Sequence, residues 1–503
     1  MGNSDFEIEY LTKQIARGGG VALFGQGLSK GIKFILQVVL TRVLGSASYG
    51  LYTLGLSAIG IIQGISMLGL PQGTLRFGSL YLSEGKKSRV KGTIISSFLI
   101  SLISSAIIGI VIFFWSSTIA GKIFNEPELG KVLKILSLTL PFFSLFSVCM
   151  QAFLIFKKIE YSVGIELVFI PLVSLLIVIP LFALGLRLNG AIYAYILSIV
   201  SSLFLGFFLL RKIFPELFSE LKPEYEIKPL FLYSLSVLLV GLSGFLINKV
   251  DKIMIGIFMT SQNVGIYNAA SVVAFQGSLI IYSFHGIFAP IITDLHNKKK
   301  FSELGLLLKS STKWAFGLVM PLVFIFILFS KEIMLLFGNE FLPGWSILIT
   351  FSFIQLVNVG VGSVGYILIM TGKEKIELTN VTVLGLLNVV LNYFLIPKFG
   401  ILGAAIATGI SYALIDFARV IEIYYFYKIH PYKFSYLKII FAGLVAIGLV
   451  IFLRNLIEFQ GWLKLLEVAI MCVVYGIMVF IMRLDKEDII VLKAVRNKIF
   501  KEE

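Results

Sequence analysis

Charged residues make up only 14% of this 503-residue chain, where soluble domains carry roughly a quarter. With 58% hydrophobic content and a mean hydropathy of +0.95, that shortage excludes an ordinary soluble enzyme. Cysteine is almost missing. Cys149 and Cys472 both lie in apolar runs, so there is no disulfide framework. The three histidines, His285, His296 and His430, have no metal-ligand spacing to one another or to either cysteine, which sets a zinc centre aside. Walker A and kinase patterns do not occur, leaving ATP hydrolysis without a site. Period-two alternation is also missing from stretches such as Ile94–Trp115, which excludes a transmembrane barrel. The first apolar run, from Val21, carries Lys30 and Lys33 and has no Ala-x-Ala-like site. A cleaved signal peptide is therefore not expected.

What remains is an all-α, polytopic membrane protein. Apolar runs at 21–44, 49–72, 93–115, 132–155, 161–184, 189–210, 231–257, 265–291, 310–330, 343–370, 377–396, 401–426, 436–453 and 462–482 predict fourteen transmembrane helices. Each is long enough for a hydrocarbon core of about 30 Å. Breaks as short as Gly45–Ser48 require antiparallel neighbours. With the N-terminus inside, alternate breaks collect the cations: Arg76, Lys86, Lys87, Arg89 and Lys91 in one, Lys298, Lys299 and Lys300 in another, and a basic tail from Arg483. The intervening breaks hold only Lys122, Lys131, Arg187, Lys331, Lys398, Arg454 and Lys464. Both termini are thus expected in the cytoplasm of a cell-membrane protein. This asymmetry accounts for much of the net charge of +15, and nucleic acid is not expected as a partner. Before the first run, Phe6, Ile8, Tyr10, Leu11 and Ile15 interleave with polar residues, a pattern that suits either an interfacial helix or a frayed tail.

The chain also repeats itself. Ser46, Gly50 and Tyr52 fall on Ser261, Gly265 and Tyr267 at an offset of 215 residues, and Lys158-Ile159-Glu160 recurs as Lys375-Ile376-Glu377. Two pseudo-symmetric six-helix lobes follow as an expectation, residues 1–212 and 230–428, joined by a linker at 213–229 and followed by two C-terminal helices and a tail at 429–503. An even number of helices per lobe gives both the same orientation, as in parallel-repeat transporters that alternate access at the lobe interface.

Ionisable side chains within membrane helices are costly and usually face a cavity or a partner. Lys30 and Lys33 share one helix face, Lys249 and Lys252 another, and these helices are repeat mates. The two pairs are expected to confront each other across an electropositive cavity suited to a phosphate or diphosphate. Arg76 is a further substrate-binding candidate or a topology anchor. Asp251 and Glu166 are candidates for ion coupling or for structural ion pairs, and Asp416 with Arg419 reads as a local ion pair. Tyr52 and Tyr267 are read as packing the outer turn rather than binding a sugar.

The runs TRVLGSASYGLYTLG and GLPQGTLRF within 41–77, NKVDKIMIGIFMTSQNVGIYNAA at 248–270 and GILGAAIATGISY at 400–412 resemble the Wzx-like polysaccharide (oligosaccharide-lipid) flippase branch of the multidrug/oligosaccharidyl-lipid/polysaccharide exporter superfamily. The resemblance covers nearly the whole chain. It implies two six-helix bundles that move a polyprenyl-diphosphate-linked oligosaccharide to the outer leaflet without ATP, with lumen cations assisting. Lys33, Lys249 and Lys252 occupy suitable positions. No cofactor is expected beyond coupling to a Na+ or H+ gradient. Partners are the lipid-linked glycan, membrane lipid and other polysaccharide-assembly membrane proteins, and the chain is expected to act as a monomer. The alternatives are a cation-coupled drug exporter, a peptidoglycan-precursor flippase and a membrane polymerase or ligase. The last usually needs a large outer loop, and every outer break here is short.

Overall fold

The computed structural model describes the backbone of residues 3–456, 461 and 463–482, with all their side chains except those of 3–24, 239–240, 242–248, 282–287 and 289–290. The side chains of the amphipathic pattern at Phe6–Ile15 and of His285, and the basic tail from Arg483, fall outside the described residues. Among the described residues there is no strand, so the chain is all-α.

In chain order the helices are α1 (Asn3–Ser66), α2 (Leu70–Ser83), α3 (Lys87–Lys122), α4 (Pro127–Ser137), α5 (Thr139–Ile155), α6 (Ile159–Val163), α7 (Ile170–Ala183) and α8 (Arg187–Ile213). After the linker come α9 (Ile227–Phe258), α10 (Ser261–Ala274), α11 (Ser278–Asn297), α12 (Phe301–Leu328), α13 (Ser330–Phe337), α14 (Trp345–Val361), α15 (Val364–Met370), α16 (Glu374–Phe399) and α17 (Ile401–Tyr427). The last two are α18 (Tyr436–Leu456) and α19 (Leu463–Ile481). Eleven of the described helices are long and apolar enough to cross a membrane, or twelve if α4 and α5, bent by 46°, form one span.

The apolar runs are interrupted where the sequence makes continuous helix costly. Gly45, at φ 73° and ψ 174°, breaks the 64 residues of α1, using backbone space closed to residues with a Cβ. Before α2, Gly69 takes φ 69° and Pro71 occupies the first turn, where a missing N–H costs nothing. Between α6 and α7 the chain winds into a π-helix, Gly164–Phe169. A short 3₁₀ turn, Phe275–Gly277, separates α10 from α11. The π and 3₁₀ turns fall within candidate membrane spans, where freed backbone groups are tolerated only if protein or a water-filled cavity surrounds them.

The chain forms two compact units that cut across chain order. Unit 1 comprises residues 1–272, 334–344 and 381–408, and unit 2 comprises 273–333, 345–380 and 409–503. In unit 1, α9 packs on α1 and α2, and α3 on α4 and α5. Tyr81, Ile94, Cys149, Phe153 and Leu210 belong to one of its cores. In unit 2, α12 packs on α14 and α18, and α18 on α19, around Phe316, Val319, Met320, Ala442 and Tyr475. The linker is fastened within unit 1 by charge. Lys87 Nζ lies 2.5 Å from Glu216 Oε1, Arg89 pairs with Glu224 and Glu226 at 3.0 and 2.8 Å, and buried Lys91 donates to the Ser219 carbonyl at 2.7 Å.

Candidate functional site

Unit 1 holds all seven site residues singled out in the sequence. On α1, Lys30 is half-buried and Lys33 exposed, and their like charges act on each other. Glu166, exposed on the π-helical turn beside α1, is the opposing charge that acts on Lys33. On α9, half-buried Lys252 feels both Lys249 and Asp251. Lys249 is half-buried and lies along α1 at Gly60, where a Cβ would stand 3.4 Å from its Nζ and Cε. Arg76 is exposed on α2, with its guanidinium 4.2 Å from the Tyr233 ring centroid, a cation–π contact to α9.

Asp251 is held by neutral groups. Its Oδ1 accepts from Asn392 Nδ2 at 2.7 Å, and its Oδ2 accepts from Thr408 Oγ1 at 2.7 Å and from the Tyr267 hydroxyl at 2.5 Å. Asn392 Nδ2 also donates to Asn388 Oδ1 at 2.9 Å, and Asn388 Nδ2 donates to Thr408 Oγ1 at 3.1 Å. Asn388 and Asn392 are one turn apart on α16 and almost fully buried, at 3% and 0% exposure. Asn392 Oδ1 is buried with no hydrogen-bond partner, although buried acceptors are ordinarily satisfied. A carboxylate, two side-chain amides and two hydroxyls from four helices, α9, α10, α16 and α17, thus share one spot. Such an oxygen-rich set suits a hard cation or a proton. Among the described residues no group of three or more His, Cys, Asp or Glu is placed to hold a metal ion.

Unit 2 has its own buried polar network. Arg419 donates through Nη1 to Asp416 Oδ1 at 2.9 Å, through Nε to Glu377 Oε2 at 3.0 Å, and through Nη2 to Glu377 Oε1. Asn358 Nδ2 donates to the second Asp416 oxygen at 3.0 Å, and Asn380 Nδ2 to Glu422 Oε2 at 2.7 Å. The expected Asp416–Arg419 pair is therefore present, and Arg419 also clamps α16 to α17.

The profile of the polysaccharide biosynthesis protein family matches residues 15–296, more than half of the chain. The chain belongs to this family. Over 289 residues it is 28% identical to Agl15 of Haloferax volcanii, described as a probable low-salt glycan biosynthesis flippase; the match spans 56% of this chain and 59% of that protein. Among solved structures, the lipid II flippase MurJ in an inward closed conformation superposes with a TM-score of 0.70 at 17% identity, over 91% of this chain and 98% of that one. An inward-facing multidrug resistance MATE family transporter of the MOP superfamily gives 0.60 at 18% identity, over 77% and 97%. At such identity the likeness is one of fold. Family and fold together make this polysaccharide biosynthesis protein a multi-pass membrane protein with the fold seen in MurJ and the MATE transporter.

For this family member, reading charges alone missed several functional candidates. Asn388, Asn392 and Thr408 carry no charge, yet two asparagines at i and i+4 in the apolar run LLNVVLNYF were a visible signal. Tyr267 sits at 2% exposure and turns its hydroxyl onto Asp251, beyond any packing role. Glu377 became relevant only once the fold brought it to Arg419.

Proposed function

We propose that this chain is a secondary transporter that flips a polyprenyl-diphosphate-linked oligosaccharide from the cytoplasmic to the outer leaflet by alternating access, for cell-surface polysaccharide or glycan assembly. The observation that carries this reading is the set of four lysines, Lys30, Lys33, Lys249 and Lys252, on α1 and α9. One cation inside a membrane helix costs about 2.5–3.5 kcal/mol on insertion scales. Four of them in this one member of a family of polysaccharide biosynthesis proteins are best explained by an anionic cargo. A diphosphate supplies that anion, and Arg76 adds a fifth cation. The description of Agl15 as a glycan biosynthesis flippase supports the same cargo class. Cationic drugs would be repelled, which disfavours the drug-exporter alternative.

Asp251, with Asn388, Asn392, Thr408 and Tyr267, is the proposed coupling site for Na+ or H+, and the proposed role of Glu166 is to offset the charge of Lys33. Rotating the Asn392 amide would turn its unpartnered oxygen toward the carboxylate, a geometry that a bound cation would favour. One charge crossing 100 mV supplies about 2.3 kcal/mol, enough to bias a cycle of a few kcal/mol. Fourteen crossings complete the reading, with α1 counted as two spans broken at Gly45 and α9 as another. Both termini lie in the cytoplasm, the protein sits in the cell membrane, and it works as a monomer.

The test is reconstitution into liposomes with a fluorescent polyprenyl-diphosphate oligosaccharide, following protection from an impermeant reagent with and without Na+ or H+ gradients. Protein-dependent, gradient-responsive protection is expected. Efflux of a cationic dye without glycan-lipid translocation would overturn the reading in favour of drug export.

A further inference from the structure

The repeated turns of the two halves pack on each other inside unit 1, and they do so reciprocally. A Cβ at Gly50 would lie 1.7 Å from the Ser261 carbonyl oxygen, and one at Gly265 would lie 2.4 Å from the Ser46 carbonyl oxygen. Since Ser46 and Gly50 are the repeat mates of Ser261 and Gly265, the second contact is the first one turned about a pseudo-two-fold axis. Only glycine permits backbones this close.

The same reciprocity extends to two carboxylates. Glu340 Oε2 accepts from the Ser46 backbone N–H at 2.7 Å and from the Ser46 hydroxyl at 2.6 Å. Glu126 Oε1 accepts from the Ser261 backbone N–H at 2.9 Å. Each glutamate follows an asparagine, in Asn125-Glu126 and Asn339-Glu340, so the pair repeats at an offset of 214 residues. Each half therefore caps the exposed first turn of a helix belonging to the other half: Glu340 the segment after Gly45, and Glu126 the start of α10. A carboxylate at a helix N-terminus satisfies orphan N–H groups and is favoured by the helix dipole. Around these caps, Arg42 donates to the carbonyls of Leu335 and Leu336 at 2.8 and 2.7 Å, and Asn268 Nδ2 donates to the Tyr49 hydroxyl. All these residues lie at or near helix ends that the charge asymmetry assigns to the outside.

We propose that Glu126 and Glu340 form a two-point latch that holds the outer ends of the two repeats together, and that outward opening requires both caps to be released. The latch rests on the alternating-access reading above, but its test needs no cargo. Full-length chain carrying C149A and C472S, with Asn268→Cys as reporter, is placed in right-side-out and inside-out membrane vesicles and treated with an impermeant maleimide. Position 268 suits this purpose because its partner Tyr49 belongs to the other repeat. In the closed state labelling is slow. Glu340→Ala or Glu126→Ala is expected to raise the outside labelling rate about tenfold, as loss of a charge-assisted cap should. The double variant should raise it about a hundredfold, because both caps bias one equilibrium. Glu340→Gln, which keeps an acceptor oxygen, should fall between. Unchanged labelling in a double variant that elutes as a single species would overturn the latch, and so would a rise of equal size from both sides, the mark of unfolding. A rise from the inside alone would uphold the latch and overturn the proposed orientation.

Discussion

Replacing Arg419 by Met tests whether the unit 2 network is held by charge balance. One guanidinium there serves two carboxylates, and the side chains of Arg419, Glu377 and Asp416 are 12%, 10% and 3% exposed. Met keeps much of the volume but leaves both carboxylates buried without a cation. Breaking a buried pair in this way costs about 3–5 kcal/mol. An independent bound agrees: neutralising one carboxyl by protonation at pH 7, about three pH units above its ordinary value, costs about 4 kcal/mol. Asn358 still donates to Asp416 at 3.0 Å, which places the expected loss toward the lower end of the range. The triple change Arg419→Met, Glu377→Gln, Asp416→Asn should recover all but about 1–2 kcal/mol, since replacing a whole buried ionic set is often near neutral. Reversible unfolding by SDS in mixed micelles reads these differences. The reasoning fails if Arg419→Met unfolds within about 1 kcal/mol of the parent, or if the triple variant is no more stable than the single one.

Two further outcomes follow from the same geometry. The Lys87 ammonium, together with a hydrogen bond from its own backbone amide, holds the Glu216 carboxyl below the usual carboxylate range. This anchoring of the linker is fully present above the unfolded value near 4.5 and is lost as pH falls through the lowered folded value. Pepsin nicking of residues 213–226 should therefore be slower in the parent than in Glu216→Gln near pH 5, with the difference closing as pH drops; a pH-independent difference would refute it. Replacing Lys33 and Lys249 together by Gln should abolish glycan-lipid translocation in liposomes with membrane abundance unchanged, and wild-type translocation would remove them as cargo ligands.

Much of the fold was legible because lipid imposes a single rule, that the backbone must satisfy itself within each span. Long apolar runs with charge-bearing breaks therefore mark helices whatever their neighbours. The breaks inside runs were harder to see. The π turn at Gly164–Phe169 and the 3₁₀ turn at Phe275–Gly277 carry one glycine each and no proline, and depend on what packs beside them. Site reading followed visible cost: Asp251 and the four lysines stand out in apolar surroundings. It missed Asp251's partners because asparagine and threonine are tolerated in membrane helices for several reasons, and only the fold selects those that converge. Glu126 and Glu340 were passed over for a different reason. Near a helix end a carboxylate is cheap, so its cost gives no sign that it caps a helix from the other half.

The two halves agree where they must fit each other and differ where one of them must act. At the 215-residue offset, Ser46 and Gly50 are kept as Ser261 and Gly265, and each pair packs on the other. A contact made about a two-fold axis constrains both copies at once, because a side chain added at Gly50 strikes the other half just as one added at Gly265 does. No such constraint protects a site built within one half. Asp251 falls on Leu36 at this offset, and Lys252 falls on Gln37. The first half therefore has no counterpart of the carboxylate that collects Asn392, Thr408 and Tyr267. If that cluster binds the coupling ion, the transporter has one such site rather than two. Titrating ion binding in the full-length protein should then give a single site that Asp251→Asn removes, whereas two equal sites would place the coupling elsewhere.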